Sequence, residues 1–118
     1  MVPFESTLER DFLSLVSSWP SFKKVLAQPI TVPWFDGVRW RRYTPDFQLE
    51  LTTVPDGLKR YGYESTTYIE VKYEKDFQEN KEAITARLDA VTAATNHPAI
   101  VVSELFIRSP QKLAGQYD

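Results

Sequence analysis

Thr44-Pro45-Asp46-Phe47-Gln48-Leu49-Glu50-Leu51 alternates strictly, with Phe47, Leu49 and Leu51 apolar and Asp46, Gln48 and Glu50 polar between them. Successive strand residues point to opposite sides, so this period of two predicts a half-buried strand with Asp46 heading its polar face. Pro45 lacks a ladder donor, which suits a strand start or an edge and predicts a carboxylate at a sheet margin. Downstream, Tyr68-Ile69-Glu70-Val71-Lys72 reads as a second strand. There Glu70 and Lys72 share one face, while Ile69, Val71 and Tyr73 take the other.

Two strands that present an acid, and an acid with a lysine two residues on, supply what metal-dependent phosphodiester hydrolysis requires. That reaction needs an activated water, neutralisation of charge on the phosphate and stabilisation of the departing oxygen, and a hard cation serves all three. Magnesium takes oxygen ligands and commonly binds one or two carboxylates while keeping several waters. Asp46 and Glu70 would form such a half-site, and the Lys72 ammonium would lie beside the metal-bound water and the scissile phosphate. The competing readings are an ordinary strand-start acid at Asp46 and an exposed Glu70–Lys72 ion pair, worth only about 0–1 kcal/mol.

The remaining patterns place these strands in an α/β chain. Leu8, Phe12, Leu15, Val16 and Trp19 recur at helical spacing, and Trp19-Pro20 ends that helix. Residues 28–32 and 38–43 read as strands joined through Asp36-Gly37, a common hairpin turn. Residues 51–65 contain Pro55, Gly57 and Gly62 and read as a loop or a second hairpin. A helix over 77–95 carries Phe77, Ile84, Leu88 and Val91 on one stripe and is stopped by Asn96-His97-Pro98. Residues 99–105 are apolar on both faces until Ser103, as in an inner strand, so the preceding helix reads as a right-handed parallel crossover.

In order, these segments resemble the PD-(D/E)XK nuclease superfamily, and most closely the N-terminal catalytic domain of the TnsA-type transposon endonucleases. The matching stretches are Ser6-Thr7-Leu8-Glu9-Arg10-Asp11-Phe12, Gln28-Pro29-Ile30, Thr44-Pro45-Asp46-Phe47, Glu70-Val71-Lys72, and Val101-Val102-Ser103-Glu104-Leu105-Phe106-Ile107-Arg108. The resemblance implies one domain over 1–118 with a restriction-endonuclease-like mixed β-sheet flanked by helices. It further implies an endodeoxyribonuclease that uses Mg2+ or Mn2+ and leaves 5′-phosphate and 3′-hydroxyl ends. Glu9, Asp46, Glu70 and Lys72 become the catalytic set. Asp46, Glu70 and the Val71 carbonyl hold the cation, with Glu9 on a second ion or its water, and Gln28 supports the site and its DNA. The other reading of Glu9 is a capping box, because Ser6 and Glu9 stand in the S-x-x-E pattern that satisfies a free backbone donor. Glu5 and Asp11 are the neighbouring acids.

DNA is the expected partner, with a transposase, a phage assembly protein or a second copy of the chain beside it. Larger family members carry a further helical domain for partner contact; this chain reads as the catalytic domain alone. A stand-alone phage enzyme for DNA ends, head completion or branched junctions is one alternative. A catalytically inactive DNA-binding or assembly subunit is another.

Composition sets bounds on these readings. The 118 residues, 42% hydrophobic, suffice for one core that buries roughly two thirds of the unfolded surface. Without cysteine there is neither a disulfide nor a thiolate metal site. No apolar run approaches the roughly 20 residues of a membrane span and the start does not read as a secretory signal, so the expected location is the cytoplasm of a bacterial or phage-infected cell. His97 is the single histidine and cannot build a zinc site alone; Gly-rich phosphate loops and Ser/His/Asp sets are missing. A net charge of −2 is unusual for a nucleic-acid binder, though clustered site acids account for part of it. Arg39, Arg41 and Arg42 around Trp40, backed by Lys59 and Arg60, are the candidate DNA contacts. The alternative is a solvated strand face with Trp40 in the core.

Overall fold

The computed structural model describes residues 6–109. The Ser6 Oγ accepts the Glu9 N–H at 3.1 Å and opens helix α1 (Thr7–Ser17), whose Leu8, Phe12 and Val16 are buried. Strand β1 (Phe22–Ala27) follows, then the hairpin of β2 (Val32–Phe35) and β3 (Trp40–Tyr43), then β4 (Phe47–Leu51). A short helix α2 (Asp56–Lys59) leads to β5 (Thr66–Val71). Helices α3 (Glu74–Glu79) and α4 (Lys81–Thr95) cross over to β6 (Ala99–Val102), and α5 (Glu104–Ile107) ends the described chain.

Four strands form a mixed sheet in the order β1-β4-β5-β6, while β2 and β3 pair separately. The β1–β4 and β4–β5 pairs are antiparallel, with Phe47 opposite Ile69; β5–β6 is parallel, with Glu70 opposite Val101. This is one α/β domain in which helices flank a mixed sheet.

Alternation along the strands divides the core in two. Phe47, Leu49, Leu51, Ile69, Val71 and Val102 face α1 and α5. Tyr68 lies on the other side with Val32, Trp34 and Tyr43 of the hairpin and Ile84, Leu88 and Val91 of α4. Phe12 stacks on Phe47 with ring centroids 5.7 Å apart, which seats α1 against β4.

Several sequence expectations move. The first strand of the amino-terminal half is β1, not 28–32: Gln28 has φ of 46° and ends that strand, and Val32 belongs to the hairpin. The Asp36-Gly37 hairpin itself forms. Residues 51–65 hold α2 instead of a second hairpin, and the expected long helix is broken into α3 and α4 at Asn80. Its buried stripe of Ile84, Leu88 and Val91 is present. The last strand stops at Val102, because Ser103 caps α5 by accepting the Leu105 N–H, which puts Leu105 on a helix and exposed. β4 is an interior strand, so Asp46 lies at a strand end and not at a sheet margin. Among the described residues no helix is long and apolar enough to cross a membrane.

Phe12 is fully buried and aromatic, so Phe12→Ala is expected to lower unfolding free energy by about 3–5 kcal/mol. Val38→Ser, at an exposed turn position, should change it by less than about 0.5 kcal/mol. Urea denaturation of both variants checks the contrast.

Candidate active site

The chain bends at Asp46, just before β4, and the Asp46 carbonyl accepts the Gln28 N–H at 2.9 Å. Main-chain pairing of β4 with β5 runs only to Phe47–Ile69, leaving the Val71 N–H without a ladder partner from β4. The Asp46 side chain supplies it: Oδ2 accepts that N–H at 2.7 Å. The next amide, Lys72 N–H, turns to the opposite side and reaches the Val102 carbonyl at 3.1 Å. Asp46 is thereby fixed at the carboxyl end of β5, beside Glu70 and Lys72.

Glu70 is buried in the middle of the sheet, 5% exposed. A carboxylate at that depth requires partners, and three elements provide them. The Tyr43 hydroxyl, from the end of β3, donates to Oε1. Arg87 of α4 donates to Oε2 at 3.0 Å, and Lys72 Nζ lies 3.9 Å from the same oxygen. Arg87 also covers the Tyr43 ring, its guanidinium carbon 4.9 Å from the centroid. Burial first, then the Glu70 charge, holds the Tyr43 hydroxyl above its ordinary value of 10, so it remains a donor at any physiological pH.

Asp46 senses the whole group. Burial pushes its carboxyl from an ordinary 3.8 up to about 7. The Val71 hydrogen bond and the Lys72 charge act against that rise, while the Glu70 and Glu9 charges add to it. Glu9, Asp46, Glu70 and Lys72, drawn from α1, the head of β4 and the end of β5, therefore share one electrostatic centre. The exposed ion-pair reading of Glu70 and Lys72 fails, because Glu70 is buried. At the start of α1 the Ser6 half of the capping box forms, Oγ accepting the Glu9 N–H, and the Glu9 charge contributes to the rise at Asp46.

Other expected residues go elsewhere. Asp11 pairs with Arg108, the residue that follows α5, at 3.0 Å, and Glu5 lies outside the described residues. Glu104 is the first residue of α5, not a strand end, and accepts the Glu74 N–H at 2.7 Å. His97 is exposed in the turn after α4. Gln28 reaches the centre through its backbone. Arg39, Arg41 and Arg42 are exposed on the hairpin, and Trp40 is 68% exposed, which overturns its placement in the core. Lys59 does not back that group: it pairs with Asp56 at 3.7 Å and borders a separate cavity with Val54 and Tyr63.

Tyr43 and Arg87 were missed from sequence. Arg87 did carry a signal, since it falls one helical turn after Ile84 and one before Val91 on the buried stripe of the crossover helix. An arginine in that stripe calls for a buried counter-charge on the sheet below.

An all-oxygen donor set of carboxylates and a backbone carbonyl suits a hard divalent cation. Among the described residues no three acidic side chains are grouped closely enough to hold one alone. Asp46 and Glu70 would hold it with the Val71 carbonyl, and water or phosphate oxygens would complete the shell. The residues present fit that group on two grounds: repulsion among Asp46, Glu70 and Glu9 is the field a cation relieves, and Asp46 Oδ1 takes no part in the Val71 contact. Comparison with protein-family models, curated proteins and solved structures finds no match to this chain.

A carboxyl with a raised folded-state pKa holds a proton that the unfolded chain has released. Stability is therefore fully present below about 4 and declines as pH rises toward about 7. The slope reaches at most about 1.4 kcal/mol per pH unit and is flat above that window. Urea titrations across this range should show the decline in the native sequence and its loss in Asp46→Asn.

Proposed function

We propose that this chain is a divalent-cation-dependent DNA endonuclease with a restriction-endonuclease-like fold, similar to the catalytic domain of TnsA-type transposon endonucleases. The observation that carries this reading is the convergence of Glu9, Asp46, Glu70 and Lys72, far apart in sequence, on one partly buried centre. Asp46, Glu70 and the Val71 carbonyl would hold Mg2+ or Mn2+, and Glu9 would serve a second ion or its water. When bound, the cation supplies water activation and neutralises charge on the phosphate.

The chain's own groups do the rest. Arg87 and the Tyr43 hydroxyl hold the Glu70 carboxylate in one orientation. Lys72 is the loosest partner of Glu70 at 3.9 Å and is 38% exposed, so its ammonium is free to turn toward the attacking water and the phosphate. Water oxygen bonds to phosphorus as the bond to the 3′ oxygen breaks. The proton lost by water ends on that oxygen, giving 5′-phosphate and 3′-hydroxyl ends.

One observation favours a second reading. Glu70 is already matched by Arg87 and Tyr43, as in a nuclease-fold subunit that binds DNA or an assembly partner, a transposase or phage protein, without cutting. That subunit would show no cleavage with manganese and little cation-dependent thermal shift.

Supercoiled plasmid with magnesium or manganese separates the two. The native chain should nick it, and Asp46→Ala and Lys72→Ala should each slow nicking on the order of 100-fold or more, with unchanged far-ultraviolet circular dichroism. Equal nicking by those variants sinks the assignment of residues, and no nicking by the native chain favours the non-catalytic subunit.

A further inference from the structure

The β2–β3 hairpin leaves unusual residues in water. Phe35 is 49% exposed and Trp40 68%, and the two rings meet edge to face with centroids 5.6 Å apart. They are cross-strand partners, while Trp34 and Val32, on the opposite face, are buried against α4. Alternation alone does not require two adjacent large aromatics on the outer face. Exposed aromatic area of this kind marks a binding surface more often than a packing remnant.

The hairpin is also held rigidly. Asp36 accepts the Val38 and Arg39 N–H groups at 2.8 Å each through Oδ1 and takes the Arg41 guanidinium on Oδ2. Gly37, at φ of 98°, supplies the left-handed position of the turn. Trp40 therefore stands on a fixed platform, so a ligand that stacks on it does not have to order the backbone first.

Beside that platform is an open cleft of about 590 Å³, lined by Arg39, Trp40, Arg41, Arg42, Tyr43 and Arg87, with Trp34 at its base. No acidic residue lines it among the described residues, although the chain as a whole is net negative. Arg39 and Arg42 form no ion pair among the described residues, so their charge is available to a ligand. Tyr43 and Arg87 belong to both places: each lines the cleft and each bonds Glu70. Two side chains of the cleft wall thus also touch the acidic centre.

We propose that this cleft binds unpaired nucleotides of a DNA strand, stacking a base on Trp40 and holding its phosphates with Arg39 and Arg42. This deepens the nuclease reading and rests on it only for the statement that the bound strand continues to the centre at Glu70. Arginines alone would grip any DNA through its phosphates. A base can stack on an indole only where it has left its neighbours in the duplex, so the aromatic face discriminates for single-stranded, frayed or branched DNA. The preferred substrate is a junction between paired and unpaired DNA, cut near the point where the strand leaves the duplex.

The test is fluorescence anisotropy in EDTA, with Lys72→Ala protein so that no cutting intervenes. Probes are a labelled oligothymidylate of about 16 nucleotides, the upper end of common single-strand site sizes, and a blunt duplex of the same length. The single strand should bind at least about 10-fold tighter than the duplex. Trp40→Ala should weaken single-strand binding about 10-fold and leave duplex binding unchanged, and Trp40→Phe should recover part of the loss. The exposure of Trp40 makes these variants safe for folding, and circular dichroism confirms it. Equal affinity for the two probes, or a Trp40→Ala protein that binds the single strand as the parent does, overturns the proposal. Because cutting plays no part, selective binding without nicking by the native chain would sink only the nuclease reading. Nicking by the native chain with no Trp40 dependence of binding would sink only this one.

Discussion

The buried Glu70 carboxylate is the constraint on which the rest of the structure depends. A charge 5% exposed in the middle strand of a sheet is tolerable only if it is matched on several sides. Its partners come from three places: Tyr43 from the hairpin, Arg87 from α4 and Lys72 from the residue just after β5. Removing Arg87, the closest charged partner at 3.0 Å, is expected to cost about 3–5 kcal/mol, since the Glu70 charge stays buried. Hairpin and crossover helix are therefore held to the sheet by one side chain as well as by the apolar contacts of Val32, Trp34, Ile84, Leu88 and Val91.

Asp46 is placed by a different route, and the difference matters. It completes the edge of the β4–β5 ladder with a side-chain oxygen in place of a carbonyl, which puts its carboxylate at the strand end where both burial and neighbouring acids act on it. Glu70 carries matched charge; Asp46 carries mismatch. The pair thus combines one rigid carboxylate with one that gains from a cation or a proton. Binding a cation there would release that proton, so affinity should rise with pH.

Much of this was legible in the residue pattern. The alternation at Phe47, Leu49 and Leu51 and the Glu70-Val71-Lys72 triplet located two central strands, and the Ile84, Leu88 and Val91 stripe located the helix that covers one face. The boundaries that moved did so for local reasons: Asn80 and Ser103 end or start helices within runs whose apolar content alone looks continuous. Strand β1 was illegible because Lys23 and Lys24 interrupt its alternation at the register shift between Phe22 and Lys24. The acids of the two strands could be placed because spacing within a strand fixes a face. Tyr43 and Arg87 were not, because their role depends on how a separate hairpin and a helix close over that face, which no local pattern records.

The sheet's two faces give the centre a conditional character. Glu9 arrives with the α1 layer and Arg87 with the α4 layer, while Glu70 lies on β5 and Asp46 and Lys72 lie at the ends of the strands between. A molecule in which either helical layer has peeled away retains a pleated core yet presents only fragments of the constellation. Local opening, which small domains undergo long before global unfolding, would scatter the centre first, so that Glu9, Asp46, Glu70, Lys72 and Arg87 stand together only in the fully folded chain.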